Sequence, residues 1–88
     1  SKKNVEVSIY PNPTSGNLFF DITGNDNQLV TIIYSDVIGA VHKEVIQTIE
    51  GKNTYQTTEF TKLNSGIYFI QMLNSNNEVI KHQKIVKK

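Results

Sequence analysis

The stretch Leu63-Asn64-Ser65-Gly66-Ile67-Tyr68-Phe69-Ile70-Gln71-Met72-Leu73 limits the possible folds more than any other. A turn signal here runs straight into the densest apolar run of the chain. Asn64-Ser65-Gly66 has turn chemistry: glycine tolerates positive φ, and Asn and Ser bond to nearby backbone groups. From Ile67 onward, β-branched, aromatic and large apolar residues stand on both parities. Such a run suits a strand covered on both faces, or one whose second face meets a loop or a partner. It predicts the central strand of an all-β domain.

The rest of the chain repeats the same grammar. Val5, Val7 and Ile9 alternate with Glu6, Ser8 and Tyr10, as in a half-buried strand. Pro11 and Pro13 then remove two backbone donors, so Tyr10 to Gly16 reads as a stiff turn that no ladder crosses. Leu18, Phe20 and Ile22 form the inward parity of a second strand, which ends at the turn Gly24-Asn25-Asp26-Asn27. Leu29 to Tyr34 is a third strand with Val30, Ile32 and Tyr34 on one face and Leu29 and Ile33 on the other, which again predicts a central position. Ser35 to Gly39 is a corner, with Asp36 expected to accept from backbone N–H groups. Val41 to Ile46 alternates poorly because Lys43 shares a face with Val41 and Val45, which suits an edge or a bulge. After a turn at Glu50 to Asn53 comes a Thr-rich strand, Thr54 to Phe60, with Thr58 and Phe60 inward. Leu63 plugs the end of the core. The last strand, Glu78 to Val86, precedes Lys87-Lys88. Seven short strands, with turn signals every 8–12 residues or so, read as a β-sandwich.

Size and composition narrow the function. At 88 residues the chain is one domain, with an expected stability on the order of 4–13 kcal/mol. Residues 1–4 read as a linker remnant and 5–88 as the domain. The absence of cysteine excludes a disulfide framework or a thiolate metal site. All nine basic residues are lysine, and the net charge of +1 argues against nucleic acid as a partner. No metal or other cofactor is expected: Gly24 to Asn27 lacks the ligand order of a calcium loop. The eight carboxylates stand singly on polar parities or in turns, and His42 and His82 read as surface residues, so no catalytic constellation is expected. One asymmetry remains: after Glu78 the chain carries Lys81, Lys84, Lys87 and Lys88 and no acid. This is either a lysine-protected edge strand or a basic strand offered to a partner.

Together these residues resemble a known family, the type A C-terminal sorting domains of the type IX (Por) secretion system of Bacteroidota. Tyr10-Pro11-Asn12-Pro13-Thr14-Ser15-Gly16 is similar to the family's N-terminal signature. Tyr34-Ser35-Asp36-Val37-Ile38-Gly39 is similar to its aromatic–Asp corner, although Ser35 intervenes, a shift that would turn Tyr34 to the other face of its strand. Leu63-Asn64-Ser65-Gly66-Ile67-Tyr68 is similar to its Leu-x-x-Gly-x-Tyr segment, and Lys84-Ile85-Val86-Lys87-Lys88 to its terminus.

The resemblance implies an Ig-like sandwich of about seven antiparallel strands that acts as an address label and not as an enzyme. A passenger protein N-terminal to it would be exported to the periplasm and then directed across the outer membrane to the cell surface or the medium. The domain would then be removed upstream of the sandwich by a sortase-like peptidase. The implied partners are the type IX translocon, its outer-membrane shuttle or sortase components, and the passenger. Lys84, Ile85, Val86, Lys87 and Lys88 are the expected recognition element, engaged by strand addition at an exposed edge. Their deletion is expected to spare most of the fold and stop export. Pro11, Asn12, Pro13, Asp36, Gly39, Leu63, Gly66 and Tyr68 are expected to shape turns and core. An open terminal strand also predicts a strand-swapped homodimer of the isolated domain. The alternative is an accessory Ig-like module that binds glycan or protein through exposed aromatics such as Tyr10, Phe19 and Tyr55.

Overall fold

A computed structural model describes residues 5–24 and 26–88. Asn25, in the expected turn after the second strand, and residues 1–4 lie outside the described residues. Among the described residues, seven strands form two antiparallel sheets, and a short 3-10 turn lies on one of the connections between them. They are β1 (Glu6–Tyr10), β2 (Phe19–Gly24), β3 (Gln28–Asp36), β4 (Val41–Thr48), β5 (Gly51–Gln56), β6 (Gly66–Leu73) and β7 (Val79–Lys87). The smaller sheet has the order β1-β2-β5 and the larger β4-β3-β6-β7. The chain thus changes sheet between β2 and β3, β4 and β5, and β5 and β6, the connectivity of an immunoglobulin-like sandwich.

Alternation decides which side chains form the core. Ile9, Phe20 and Ile22 of the smaller sheet face Val30, Ile32, Tyr34, Tyr68, Ile70, Met72 and Ile85 of the larger. Tyr34 is fully buried, as the Val30–Ile32–Tyr34 parity predicts and despite the Ser35 insertion. A chain of rings runs through the interior. Phe20 meets Tyr34 edge-on at 6.5 Å between centroids. Tyr34 lies 5.5 Å from Phe60, and Phe60 meets Tyr68 edge-on at 5.2 Å. Such pairs add about 0.5–1.5 kcal/mol each beyond area burial.

One expectation changes and two resolve to one of their alternatives. The fifth strand begins earlier, at Gly51, and stops at Gln56. Phe60 lies in the 3-10 turn Phe60–Lys62, and Thr57 rather than Thr58 is buried. Thr57 Oγ1 accepts from the Phe60 N–H at 3.2 Å, and this local bond bends the chain out of the ladder. The apolar parity of β4 points outward: Val41 and Val45 are exposed while Glu44, Ile46 and Thr48 turn in. β4 is the edge strand its pattern suggested. Finally, β3 and β6 are central, yet their second face is not covered by this chain, since Leu29, Ile67 and Phe69 are exposed.

Candidate recognition site

The four stretches that carry the resemblance are far apart in sequence but meet at one end of the sandwich. Asp36 pairs with Tyr68 across β3 and β6, and Gly66 pairs with Lys87 across β6 and β7. Thr14 bridges Lys87 from the other side. The chain reaches β1 from the opposite end, where Glu6 pairs with Thr23 and Gly24 with Gly51. The molecule is 37 Å long, and β3 runs from that far end at Gln28 to the motif end at Asp36.

The corner is held by Asp36. Its Oδ1 accepts from the Ile38 N–H at 3.0 Å and the Ala40 N–H at 2.9 Å. Gly39 sits at φ 96°, in the region that strains any residue with a Cβ. The corner lifts Val37 and Ile38 into solvent; Ile38 is 87% exposed. Together with Asn64, Ser65 and Gly66 it lines a cleft of about 250 Å³. Below the cleft, the Tyr68 hydroxyl donates to the Asn64 carbonyl at 2.6 Å. Burial, and then the Asp36 charge, raise the Tyr68 phenol above its ordinary pKa.

The proline turn closes the edge of the terminal strand. Asn12 Nδ2 donates to the Lys84 carbonyl and Asn12 Oδ1 accepts from the Val86 N–H, both at 3.0 Å. Thr14 N–H donates to the Val86 carbonyl at 2.9 Å, and Lys88 N–H donates to the Thr14 carbonyl at 2.8 Å. The Asn12 amide thus stands in for a strand backbone between two residues that cannot donate. Both Tyr10–Pro11 and Asn12–Pro13 are cis. Thr14 is itself buried; its hydroxyl accepts from Gly16 N–H at 3.1 Å and donates to the Asn17 carbonyl. The expectation of an open edge from Lys84 to Lys88 is therefore corrected: a partner strand cannot add there without displacing Asn12 to Thr14.

The terminal residues divide by parity. Ile85 is fully buried and Lys87 is 7% exposed, whereas Lys84 and Lys88 are exposed and Val86 is half-buried. The Lys87 ammonium turns inward under the 3-10 turn. It donates to the carbonyls of Phe60 at 2.7 Å, Thr61 at 3.2 Å and Leu63 at 2.5 Å. It also lies 5.0 Å from the Phe60 ring centre. Burial pulls its pKa below the usual lysine value. Lys87 thus caps the carbonyls at the end of the short turn, adding a second donor to that of Phe60, which already accepts from the Leu63 N–H at 3.1 Å. Removing residues 84–88 would take away a core isoleucine, this cap and four edge hydrogen bonds. That loss is of the same order as the whole stability of about 4–13 kcal/mol expected at this length. The expectation that the truncation spares the fold does not survive.

A second polar cluster, which the sequence did not reveal, closes the opposite side of the sandwich. Glu44 turns inward from β4 and accepts from the hydroxyls of Tyr34 and Tyr55, and from Thr57 Oγ1 at 2.5 Å. The Tyr34 and Thr57 hydroxyl oxygens lie 2.8 Å apart beside it. Burial first, and then the bond to Glu44, push both phenols upward in pKa. Tyr55, expected as an exposed contact, is tied up here. Tyr10 and Phe19 stack on each other at 5.7 Å, and the Tyr10 hydroxyl donates to Asp21 at 3.0 Å. Among the described residues no group of three or more His, Asp or Glu is placed to hold a metal.

A family model described as a secretion system C-terminal sorting domain matches residues 8–88. The chain belongs to this family. No curated protein and no solved structure gave a match. The matched range spans all four stretches that meet at the motif end. Sorting domains of this kind are C-terminal signals for type IX secretion, and the family is not one of enzymes. Membership implies a secreted protein exported across the outer membrane, and two kinds of partner: the secretion machinery and a passenger. In this sorting domain Pro11, Asn12 and Pro13 are exposed, yet Asn12 binds the terminal strand, while Leu63 packs against the core.

Proposed function

We propose that the domain is read by the type IX machinery at its motif end, with Lys84, Val86 and Lys88 as the contacts and Ile85 and Lys87 as the internal anchors that hold them. The observation that supports this is the convergence of all four family stretches on one end, opposite to the end from which the chain arrives. A receptor grasping the motif end leaves the passenger trailing from the far pole. A sortase-like peptidase cutting upstream of the sandwich would work at that far pole, so receptor and peptidase need not compete for space. The route runs through the periplasm and the translocon to the surface or the medium. Exchange of the last strand between copies would first require opening the Asn12–Thr14 closure, which disfavours a swapped dimer of the folded domain.

The test is a fluorescent reporter carrying a periplasmic signal peptide and this domain at its C-terminus, expressed with and without the translocon. The reading predicts reporter outside the cell only when the translocon is present. A folded fusion that stays in the periplasm of the competent strain would overturn it.

A further inference from the structure

The uncovered face of the larger sheet is unlike the rest of the surface. Its outward positions bring together Val41 (52% exposed), Val45 (58%) and Phe69 (49%). The register sets Val41, Ser35, Phe69 and Lys84 in one row across the four strands, and Lys43, Ile33, Gln71 and His82 in the next. Beside Phe69 a cleft of about 400 Å³ opens between β6 and β7, walled by Gln71, His82 and Lys84. The charges on this face are all of one sign. Among the described residues Lys43, Lys84 and the ionisable His82 stand outward on these strands, with no Asp or Glu beside them. The outer face of the smaller sheet is mixed in sign: Glu6, Asp21 and Lys52 are there, and Asp21 is bonded by Tyr10 and Thr54.

We infer that the outer face of the larger sheet docks an acidic protein surface that seats an apolar side chain in the cleft beside Phe69. Apolar area supplies the drive and the uncompensated lysines select the partner's sign. Two copies stacked on this face would bring lysine against lysine, which disfavours self-association. A lipid surface would match the charge but has no use for a side-chain cleft. The face is continuous with the motif end through Lys84, which pairs with Phe69. The inference rests on the sorting reading above, because the partner is one met on that route.

The reporter fusion tests it with Phe69→Thr combined with Lys43→Glu, with Lys43→Glu alone, and with Lys52→Glu on the opposite sheet as a control of equal charge change. Thermal unfolding of each purified domain establishes folding. The double variant is expected to lose at least about tenfold in translocon-dependent export, the single charge reversal several-fold, and Lys52→Glu nothing, all with near-native melting, since exposed substitutions away from caps and turns leave stability nearly unchanged. Equal export of the native fusion and the folded double variant would overturn the inference while leaving the sorting reading intact. Binding of the native domain, but not of the double variant, to phosphatidylglycerol vesicles would reassign the face to lipid and also overturn it. Failure of the native fusion to leave the cell would bring down both readings.

Discussion

Replacing Lys87 by Met keeps the aliphatic stem over the Phe60 ring and removes only the ammonium. The carbonyls of Thr61 and Leu63 then lose this donor, and that of Phe60 is left with the Leu63 N–H alone. Hydrogen bonds to a charged group contribute about 1.5–3 kcal/mol, and the three here share one ammonium and do not add in full. The contact with the Phe60 ring contributes about 0.5–1 kcal/mol more. Desolvation of the ammonium opposes both, as its lowered pKa records. The net loss expected for Lys87→Met is about 2–3 kcal/mol. For a domain of this size that is a fall of about 10–20 °C in melting temperature. Lys88→Met, one residue on and exposed, should shift stability by less than about 0.5 kcal/mol. Urea unfolding of the purified domains, followed by far-UV circular dichroism, measures both. If Lys87→Met and Lys88→Met unfold within about 0.5 kcal/mol of each other, the division of the terminus by parity is wrong.

Four further outcomes are expected. Glu44→Ala should cost about 2–4 kcal/mol, because it strips the acceptor from Tyr34, Tyr55 and Thr57, and Glu44→Gln, which keeps one acceptor oxygen, should cost less; chemical denaturation ranks them. Asn12→Ala should cost about 1–2 kcal/mol and sharply speed hydrogen exchange at the Val86 amide, which Asn12 Oδ1 now holds. Gly39→Ala should cost about 1–2 kcal/mol from backbone strain alone, because φ is 96° and an added Cβ would meet nothing within 4 Å; its melting temperature tests this. Tyr34, Tyr55 and Tyr68 keep their protons in the folded chain beyond the ordinary phenol pKa of 10.0. The folded state therefore binds more protons there, and stability should be complete below about pH 10 and fall as pH rises beyond it. Lys87, held below 10.5, acts in the opposite sense as pH approaches that value, and Tyr34→Phe should flatten the alkaline loss seen in pH-dependent melting.

Much of this fold could be read from alternation. Val30, Ile32 and Tyr34 announce the inner face of β3, and the Leu63 to Leu73 stretch announces a central strand after a turn. What alternation could not show is which parity of an edge strand turns inward. In β4, Val41 and Val45 look like core and Glu44 like surface, but the two tyrosines opposite offer hydroxyl donors, and the carboxylate goes in. Lys87 escaped for a related reason. A terminal lysine reads as solvated until the Phe60–Lys62 turn, 25 or so residues earlier, is seen to leave carbonyls pointing at it. The role of Asn12 was hidden because a side-chain amide that mimics a strand leaves no periodic trace. The two apolar parities of β6 did carry a usable signal: an uncovered face within a central strand is a surface awaiting a partner.

On the proposed reading, the terminus signals through its outward residues and folds through its inward ones. The most direct measurement is translocon-dependent export of the reporter carrying Lys84→Ser and Lys88→Ser together, with melting of the isolated variant domain as the control for folding. The variant domain is expected to melt within a few degrees of the native one and the reporter to stay in the periplasm. Export of the folded variant at the native level would contradict that reading.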